Sequence, residues 1–191
     1  MKNMKVKNVI IGKQFENSEN LQEFTKIIKE KNIKVTIVEA GDKINIENNL
    51  YFYVLWPSVK NEIKENSINN NALVCKLYYK NFTVLFTGDI EEEAENVIWK
   101  MYENSKVLES IILKVAHHGS KSSSTEKFLK LVSPKIALIG VGKNNLYEHP
   151  SDIVINRMES FGIKIYRTDE NGEISIIVNS KGNVKVREFI K

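Results

Sequence analysis

The stretch Ser110-Ile111-Ile112-Leu113-Lys114-Val115-Ala116-His117-His118-Gly119-Ser120 passes from a strongly apolar segment directly into two adjacent histidines. The apolar part, residues 110–116, predicts a β-strand, because a short apolar run bounded by a turn signal is typical of a buried strand. His117 and His118 are therefore expected in the loop that follows the carboxyl end of this strand.

The segments on either side of this strand alternate between strand and helix patterns. The predicted elements around it are a strand at 82–87 that ends in Gly88-Asp89, a helix at 91–103, a helix to 132 opened by a Ser123–Glu126 capping box, a strand at 135–141, a loop with His149-Pro150, and a helix from Ser151 or Asp152 to about 162. Such interleaving predicts an α/β or mixed α+β fold.

The outer parts of the chain give weaker signals. Further predicted elements are a strand at 5–11, a helix capped by Asn17 or Ser18, strands at 33–39 and 50–56, a hairpin of 72–79 with 82–87 about Lys80-Asn81, a hairpin of 163–168 with 173–179 about Asn171-Gly172, and a last strand at 184–190. Residues 58–71 are polar and predict a mobile loop.

Composition places the chain among ordinary globular proteins. It has 191 residues, 42% hydrophobic and 27% charged, which fits one domain and argues against wholesale disorder. The formal net charge of +4 is mild and permits contact with nucleic acid without arguing for it. A single cysteine, Cys75, excludes an internal disulfide and is expected to be a buried strand residue.

Chemistry-bearing residues concentrate at three successive strand ends. Asp89, the pair His117-His118 and His149 follow predicted strands in turn, and no other histidine occurs. Because ligand sites gather beyond the carboxyl ends of strands in open α/β sheets, these side chains are expected to converge. Imidazole nitrogen with carboxylate oxygen suits zinc or manganese.

Ordinary structural roles stay open for the same residues. Asp89 by itself is well explained as a helix N-cap, and a histidine in a loop is often merely solvated. A Ser–His hydrolase is disfavoured, because the G-x-S-x-G elbow is missing and helix capping explains the serines near His118. The stretch Leu50-Tyr51-Phe52-Tyr53 could stack bases, although strand packing explains it better.

Four segments in register resemble a known family. They are Thr87-Gly88-Asp89-Ile90-Glu91, Leu113-Lys114-Val115-Ala116-His117-His118-Gly119-Ser120, Asn144-Asn145-Leu146-Tyr147-Glu148-His149-Pro150, and Tyr166-Arg167-Thr168-Asp169 with Gly172. Together they resemble the metallo-β-lactamase-fold domain of ComEC-type competence proteins, over about 50–178. The resemblance implies a mixed α/β fold, an αββα sandwich whose N-terminal part is missing, so that residues 1–191 form a single partial domain.

The resemblance also implies roles for individual residues. Asp89, His117 or His118, and His149 are the implied ligands of a divalent metal, zinc or manganese, with Asp89 bridging and His118 the favoured histidine. Asp89 and His118 are the implied catalytic residues. Ser120, Tyr147 and His117 are implied to contact a substrate phosphate. The substrate would be DNA or another phosphodiester, and the reaction hydrolysis by a metal-dependent nuclease or phosphodiesterase linked to DNA uptake.

One family signature is absent from the sequence. The family's H-x-H-x-D-H motif supplies most remaining metal ligands, yet no histidine precedes His117. The chain is therefore expected to be inactive alone, to bind a single ion weakly, and to need an upstream half-domain that carries this motif. A pseudoenzyme or binding remnant, and a hydrolase of another ester, are the alternatives. With no signal peptide or transmembrane segment, the chain is expected to be cytoplasmic, or extracytoplasmic within a ComEC-type protein.

Overall fold

A computed structural model describes residues 5–13 and 19–189. The strands are β1 (Asn8–Gly12), β2 (Lys34–Val38), β3 (Lys43–Glu47), β4 (Leu50–Trp56), β5 (Val74–Tyr79), β6 (Phe82–Phe86), β7 (Ile112–Lys114), β8 (Ile136–Ile139), β9 (Lys164–Arg167), β10 (Glu173–Val178) and β11 (Val184–Phe189). The helices are α1 (Glu19–Glu30), α2 (Ser67–Asn70), α3 (Glu92–Tyr102), α4 (Glu126–Val132), α5 (Asp152–Ser160) and α6 (Thr168–Asn171). The mixed α/β class predicted from the sequence is confirmed.

A seven-stranded sheet forms the centre of the molecule, and its strands lie in chain order from β3 to β9. Strands β3 to β6 pair antiparallel with their neighbours, and strands β6 to β9 pair parallel, so β6 belongs to both halves. Helices α3, α4 and α5 are the crossovers between the parallel strands. Since parallel strands all point the same way, the loops after β6, β7, β8 and β9 emerge at one edge of the sheet.

One face of this sheet packs against the crossover helices. Leu85, Leu113 and Ala137 point from β6, β7 and β8 into a buried cluster that includes Phe128 of α4 and Met158 of α5. All five side chains are at most 1% exposed. Burying this much apolar surface is the main favourable contribution to the stability of the parallel half of the sheet.

The other face is covered in part by the antiparallel pair β10–β11. A second cluster joins Phe82, Val84 and Ile112 of the sheet to Ile176 and Val178 of β10. The layers of this part of the chain are therefore crossover helices, a seven-stranded sheet and a two-stranded sheet. Strands β1 and β2 form a separate parallel pair joined by α1.

Two local predictions about the second half of the chain are wrong. The Asn171-Gly172 signal does not join β9 to β10 in a hairpin, because β9 pairs with β8 and β10 pairs with β11. Helix α4 is capped by Thr125, whose hydroxyl accepts from Phe128 N–H, and Ser123 instead donates to the Ile90 carbonyl. In both cases pairing with distant segments overrides the local pattern.

The polar segment 58–71 is also more ordered than predicted. It contains a 3₁₀ turn, helix α2 and the buried residues Ile63, Asn70 and Asn71. The side chain of Asn71 bonds the Ile63 N–H and carbonyl, and the Trp56 indole donates to the Asn70 carbonyl at 2.6 Å.

Several other expectations can be compared directly. The hairpin about Lys80-Asn81 is confirmed, because β5 and β6 pair antiparallel. Cys75 is buried as expected, and burial raises the pKa of its thiol to about 11, so it behaves as a small apolar side chain.

The predicted cap at Asn17 or Ser18 and the strand end at Ile190 lie outside the described residues. Within 5–13 and 19–189, no helix has both the length and the apolar character needed to cross a bilayer.

Candidate metal centre

The four predicted ligand residues all lie at the carboxyl edge of the parallel strands. Asp89 follows β6, His117 and His118 occupy a turn after β7, and His149 lies in the loop after β8. The N-cap residue of α3 is Glu91, two positions after Asp89, so the alternative interpretation of Asp89 as this helix's N-cap does not hold. The side chain of Asp89 is half exposed at the edge.

The turn that carries the two histidines has an unusual backbone. His117 and His118 both adopt positive φ, at 46° and 54°, which costs energy in non-glycine residues. The His117 N–H donates to the Gly88 carbonyl at 3.1 Å, and the Ser120 N–H donates to the His117 carbonyl at 2.9 Å. The first bond holds the histidine turn against the loop of Asp89, and the second closes the turn itself.

His118 faces Asp89. Its Nε2 lies 3.9 Å from Asp89 Oδ1, and its Nδ1 lies 2.5 Å from the Gly140 carbonyl oxygen. A carbonyl oxygen only accepts, so Nδ1 carries the ring proton in the neutral imidazole. The lone pair of Nε2 then points towards the Asp89 carboxylate, which is the arrangement of a histidine ready to bind a metal.

His117 pairs instead with Glu91. Its Nδ1 lies 3.4 Å from Glu91 Oε1, although that buried nitrogen makes no hydrogen bond of good geometry within the described residues. The same carboxylate accepts from the Ser122 hydroxyl at 3.3 Å and from the Asn66 amide at 2.9 Å. Glu91 therefore links the histidine turn to α2 and to the loop after Gly119.

His149 completes the group from the next loop. Its ring stands edge-on to His117, with the ring centroids 5.7 Å apart, and lies nearly parallel to Tyr147 at 5.8 Å. The Asn145 amide donates to the His149 carbonyl, and its Oδ1 accepts from the His149 N–H. Burial lowers the pKa of His149, and the nearby His117 and His118 lower it further, which favours the neutral imidazole.

Gly119 sets the contact between the two histidine loops. Its φ is +84°, and a Cβ atom at this position would lie 2.5 Å from Pro150 Cβ. The Ser151 N–H also donates to the Gly119 carbonyl at 2.9 Å. The loop of His149 can therefore approach the histidine turn because residue 119 has no side chain.

A buried carboxyl group supports the segment that follows Gly119. Glu95 of α3 is 0% exposed and accepts from the N–H groups of Ser124 and Thr125 at 2.5 and 2.7 Å. Burial raises the pKa of Glu95 to about 7, against the lowering effect of these bonds and of Arg157. Arg157 donates to the Ser124 carbonyl at 2.7 Å, so α3 and α5 both hold this segment.

The two predicted substrate-binding residues differ in environment. Ser120 is buried, and its hydroxyl lies 3.0 Å from the Ser122 hydroxyl. Tyr147 is 79% exposed beside His149. A cleft of about 430 Å³ runs between His118 and His149, with Tyr147 on its wall.

The side chains of Asp89, His117, His118 and His149 are of the types that bind zinc or manganese, but they do not form a complete metal site. Imidazole nitrogens and a carboxylate oxygen are suitable ligands for either ion. In the described parts of the chain, however, no three His, Cys, Asp or Glu side chains are placed so that they could hold an ion together. The residues present therefore bring Asp89, His117, His118 and His149 to one edge without forming a full coordination shell.

Comparison with known proteins places the chain in a family. No protein-family model matches it. It is 34% identical over 174 residues to ComE operon protein 3 of Bacillus subtilis (strain 168), covering 91% of this chain and 22% of that protein. The chain is a homologue of ComEC-type competence proteins. Competence protein ComA of Neisseria gonorrhoeae is 34% identical over 138 residues, covering 72% of this chain and 19% of that protein. The chain thus spans about a fifth of the length of these competence proteins.

Solved structures provide a second comparison. The metallo-β-lactamase-fold protein YhfI from Bacillus subtilis gives a TM-score of 0.45 at 10% identity, covering 84% of this chain and 62% of that one. A metallo-β-lactamase-superfamily protein from Thermotoga maritima gives 0.35 at 9% identity, covering 83% and 72%.

Three residues that shape this edge, Glu91, Asn145 and Gly140, have no role that the sequence alone predicts. Glu91 belongs to the segment Thr87–Glu91, but it is one of three consecutive glutamates at a helix start, so the sequence does not distinguish it. The Asn145–His149 spacing of four residues is typical of an asparagine that bonds the backbone around a turn, so the sequence does indicate this contact. The contact of Gly140 with His118 depends on how β8 aligns with β7.

Proposed function

We propose that this chain supplies part of the active site of a metal-dependent phosphodiesterase, with DNA or another phosphodiester as its substrate. In this proposal Asp89, His118 and His149 are metal ligands, and Asp89 and His118 are also the catalytic residues. The observation that carries it is the 3.9 Å separation between His118 Nε2 and Asp89 Oδ1 at the edge that His149 also reaches. DNA is the leading substrate in this proposal because the resemblance to ComEC-type competence proteins implies it.

The remaining residues of the edge have supporting roles in this proposal. The Gly140 carbonyl holds His118 in the tautomer whose Nε2 is free to bind, and Glu91 orients His117. Ser120 and Tyr147 contact the substrate. Since no three donors within residues 5–13 and 19–189 are arranged to hold an ion, the proposal takes the missing ligands from another polypeptide segment that carries the H-x-H-x-D-H motif.

A second candidate function follows from the same incomplete donor set. A chain whose donors never complete a metal shell would serve as a binding or structural module on the same fold. The incomplete arrangement of donors within the described residues is the observation that favours this alternative. The two candidates predict different results once the missing motif is supplied.

Metal binding and hydrolysis separate the two candidates. The chain would be titrated with Zn²⁺ and with Mn²⁺ by calorimetry, alone and mixed with a polypeptide that carries H-x-H-x-D-H. We expect weak binding of at most one ion alone, tighter binding in the mixture, and cleavage of DNA only in the mixture. His118→Ala and Asp89→Asn would abolish both the tighter metal binding and the DNA cleavage of the mixture. Glu109→Gln, a change at the opposite end of β7, would abolish neither.

Two results would contradict the hydrolase proposal or its details. Failure of the mixture to bind metal more tightly than the separate parts, or to cleave any phosphodiester, would support the binding module instead. Stoichiometric binding of a pair of ions by the chain alone would show that its own residues complete the centre.

A further inference from the structure

The cleft beside His118 and His149 has an apolar and aromatic lining, which metal binding does not require. Besides the two histidines, it is lined by residues 140–142, Asn145, Tyr147 and Thr168. The Thr168 hydroxyl already accepts from the Val141 N–H and donates to the Val141 carbonyl, and His118 Nδ1 is bonded to the Gly140 carbonyl. The cleft therefore presents apolar and aromatic surface next to the proposed ligands.

Tyr147 is an exposed aromatic residue on a loop that is held in place. Its side chain is 79% exposed, yet its ring lies within 22° of parallel to the His149 ring at 5.8 Å. Hydrogen bonds of the Asn145 side chain hold the loop on both sides of Tyr147. Its amide donates to the Gly142 and His149 carbonyls, and its Oδ1 accepts from the His149 N–H. A flat ring kept exposed on a pinned loop costs little entropy when a ligand stacks on it.

We infer that this cleft is a base-binding subsite, in which a nucleobase of a nucleic-acid strand stacks on Tyr147 while the adjoining phosphate faces His118 and His149. The inference rests on the proposed function, and it assigns Tyr147 to the base where the sequence resemblance implied a phosphate contact. Stacking on an aromatic ring accepts any base, so the subsite distinguishes nucleic acid from phosphodiesters without a planar group and does not read sequence.

Binding of a matched pair of oligonucleotides tests the inference without metal. A fluorescein-labelled hexathymidylate and its abasic counterpart carry the same phosphates, and only the first carries bases. In EDTA, fluorescence anisotropy with the purified chain should give tighter binding of hexathymidylate by at least about fivefold, the lower range for one stacked base. Tyr147→Ala should abolish this preference, and Tyr147→Phe should keep it. Leu146→Ala, which alters the exposed neighbour of Tyr147, should also keep it.

Three results would overturn the inference. They are equal binding of the two oligonucleotides by the wild type, no binding of either, and a preference for hexathymidylate that survives in Tyr147→Ala. The last result would place base stacking elsewhere on the surface. Because EDTA removes metal, none of these results depends on hydrolysis, so failure of the subsite and failure of the hydrolase proposal are distinguishable. Thermal melting of each variant checks that the exposed substitutions leave the fold intact.

Discussion

Glu91 Oε1 lies 3.4 Å from His117 Nδ1, and the same carboxylate also receives hydrogen bonds from Asn66, the residue before α2, and from Ser122. A carboxylate oxygen beside a neutral imidazole nitrogen is repelled by a lone pair and attracted by an N–H. Glu91 therefore favours the tautomer in which His117 Nδ1 carries the proton and Nε2 is free.

Replacing Glu91 by alanine should change this tautomer. We expect His117 in Glu91→Ala to shift towards the form protonated at Nε2, because the acceptor beside Nδ1 is gone. Long-range ¹H–¹⁵N spectra of the imidazoles above neutral pH measure the two forms. Glu92→Ala is the matched control, since Glu92 is the exposed neighbour. An unchanged His117 spectrum in Glu91→Ala would mean that Glu91 does not orient the ring.

The buried carboxyl of Glu95 should make stability depend on pH. Its folded pKa of about 7 lies above the ordinary 4.5, so between these values the folded chain binds a proton that the unfolded chain releases. The free energy of unfolding contributed by Glu95 therefore falls as pH rises through this window, by up to about 1.4 kcal/mol per pH unit. In Glu95→Gln this contribution should vanish, as measured by urea unfolding across the window.

The comparison with wild type isolates Glu95 from other titrating groups. His149 has a lowered pKa and contributes with the opposite sign as pH rises towards 6.5, but it is present in both proteins. Glu93→Gln, an exposed change in the same helix, should follow the wild-type profile. Identical pH profiles for wild type and Glu95→Gln would contradict the assignment.

Asn70 should stabilise the start of α3 from a distant segment. Its Oδ1 accepts from the Glu91 N–H at 3.1 Å and from the Ala94 N–H at 3.4 Å, two groups that helix geometry leaves without partners. Asn70→Ala should lower the free energy of unfolding by about 1–3 kcal/mol, measured by urea denaturation. Asn69→Ala leaves both contacts in place, and an equal loss in that variant would refute the capping role.

Gly119 should not tolerate a side chain. Alanine at this position combines a positive φ with a Cβ that overlaps Pro150, so we expect Gly119→Ala to lose at least about 1–2 kcal/mol of stability. The ¹⁵N resonances of His149 should also shift, because its loop must move away. Gly142→Ala, where a Cβ meets no atom within 4 Å, should change stability by no more than about 0.5 kcal/mol. A neutral Gly119→Ala would show that the two loops adapt freely.

The sequence predicted the parallel half of the sheet well because its strands are short apolar runs separated by strongly periodic helices. It missed β3, a short and mostly exposed edge strand in which Ile44 and Ile46 alternate with lysine, asparagine and glutamate. The Asn171-Gly172 signal failed for a different reason. Turn chemistry is local, whereas the pairing of β9 with β8 and of β10 with β11 is decided by burial across the molecule.

For the candidate site, the positions of the residues could be predicted from the sequence, but their contacts could not. Asp89, His117, His118 and His149 could be placed at one edge because strand direction alone brings successive loop residues together there. The pairing of His117 with Glu91 and of His118 with the Gly140 carbonyl could not be predicted, because both depend on the positive φ values of the histidine turn.

The common direction of β6 to β9 also leaves the far side of the molecule available for attachment. The exposed segment 103–106 lies between α3 and β7, at the amino end of the strand whose carboxyl end carries both adjacent histidines. A biotin coupled to a cysteine introduced at Asn104 would therefore anchor the chain to a sensor surface by the side opposite the histidine loops. The imidazoles would then face the flowing solution, accessible to long polynucleotides that a randomly oriented layer would obstruct.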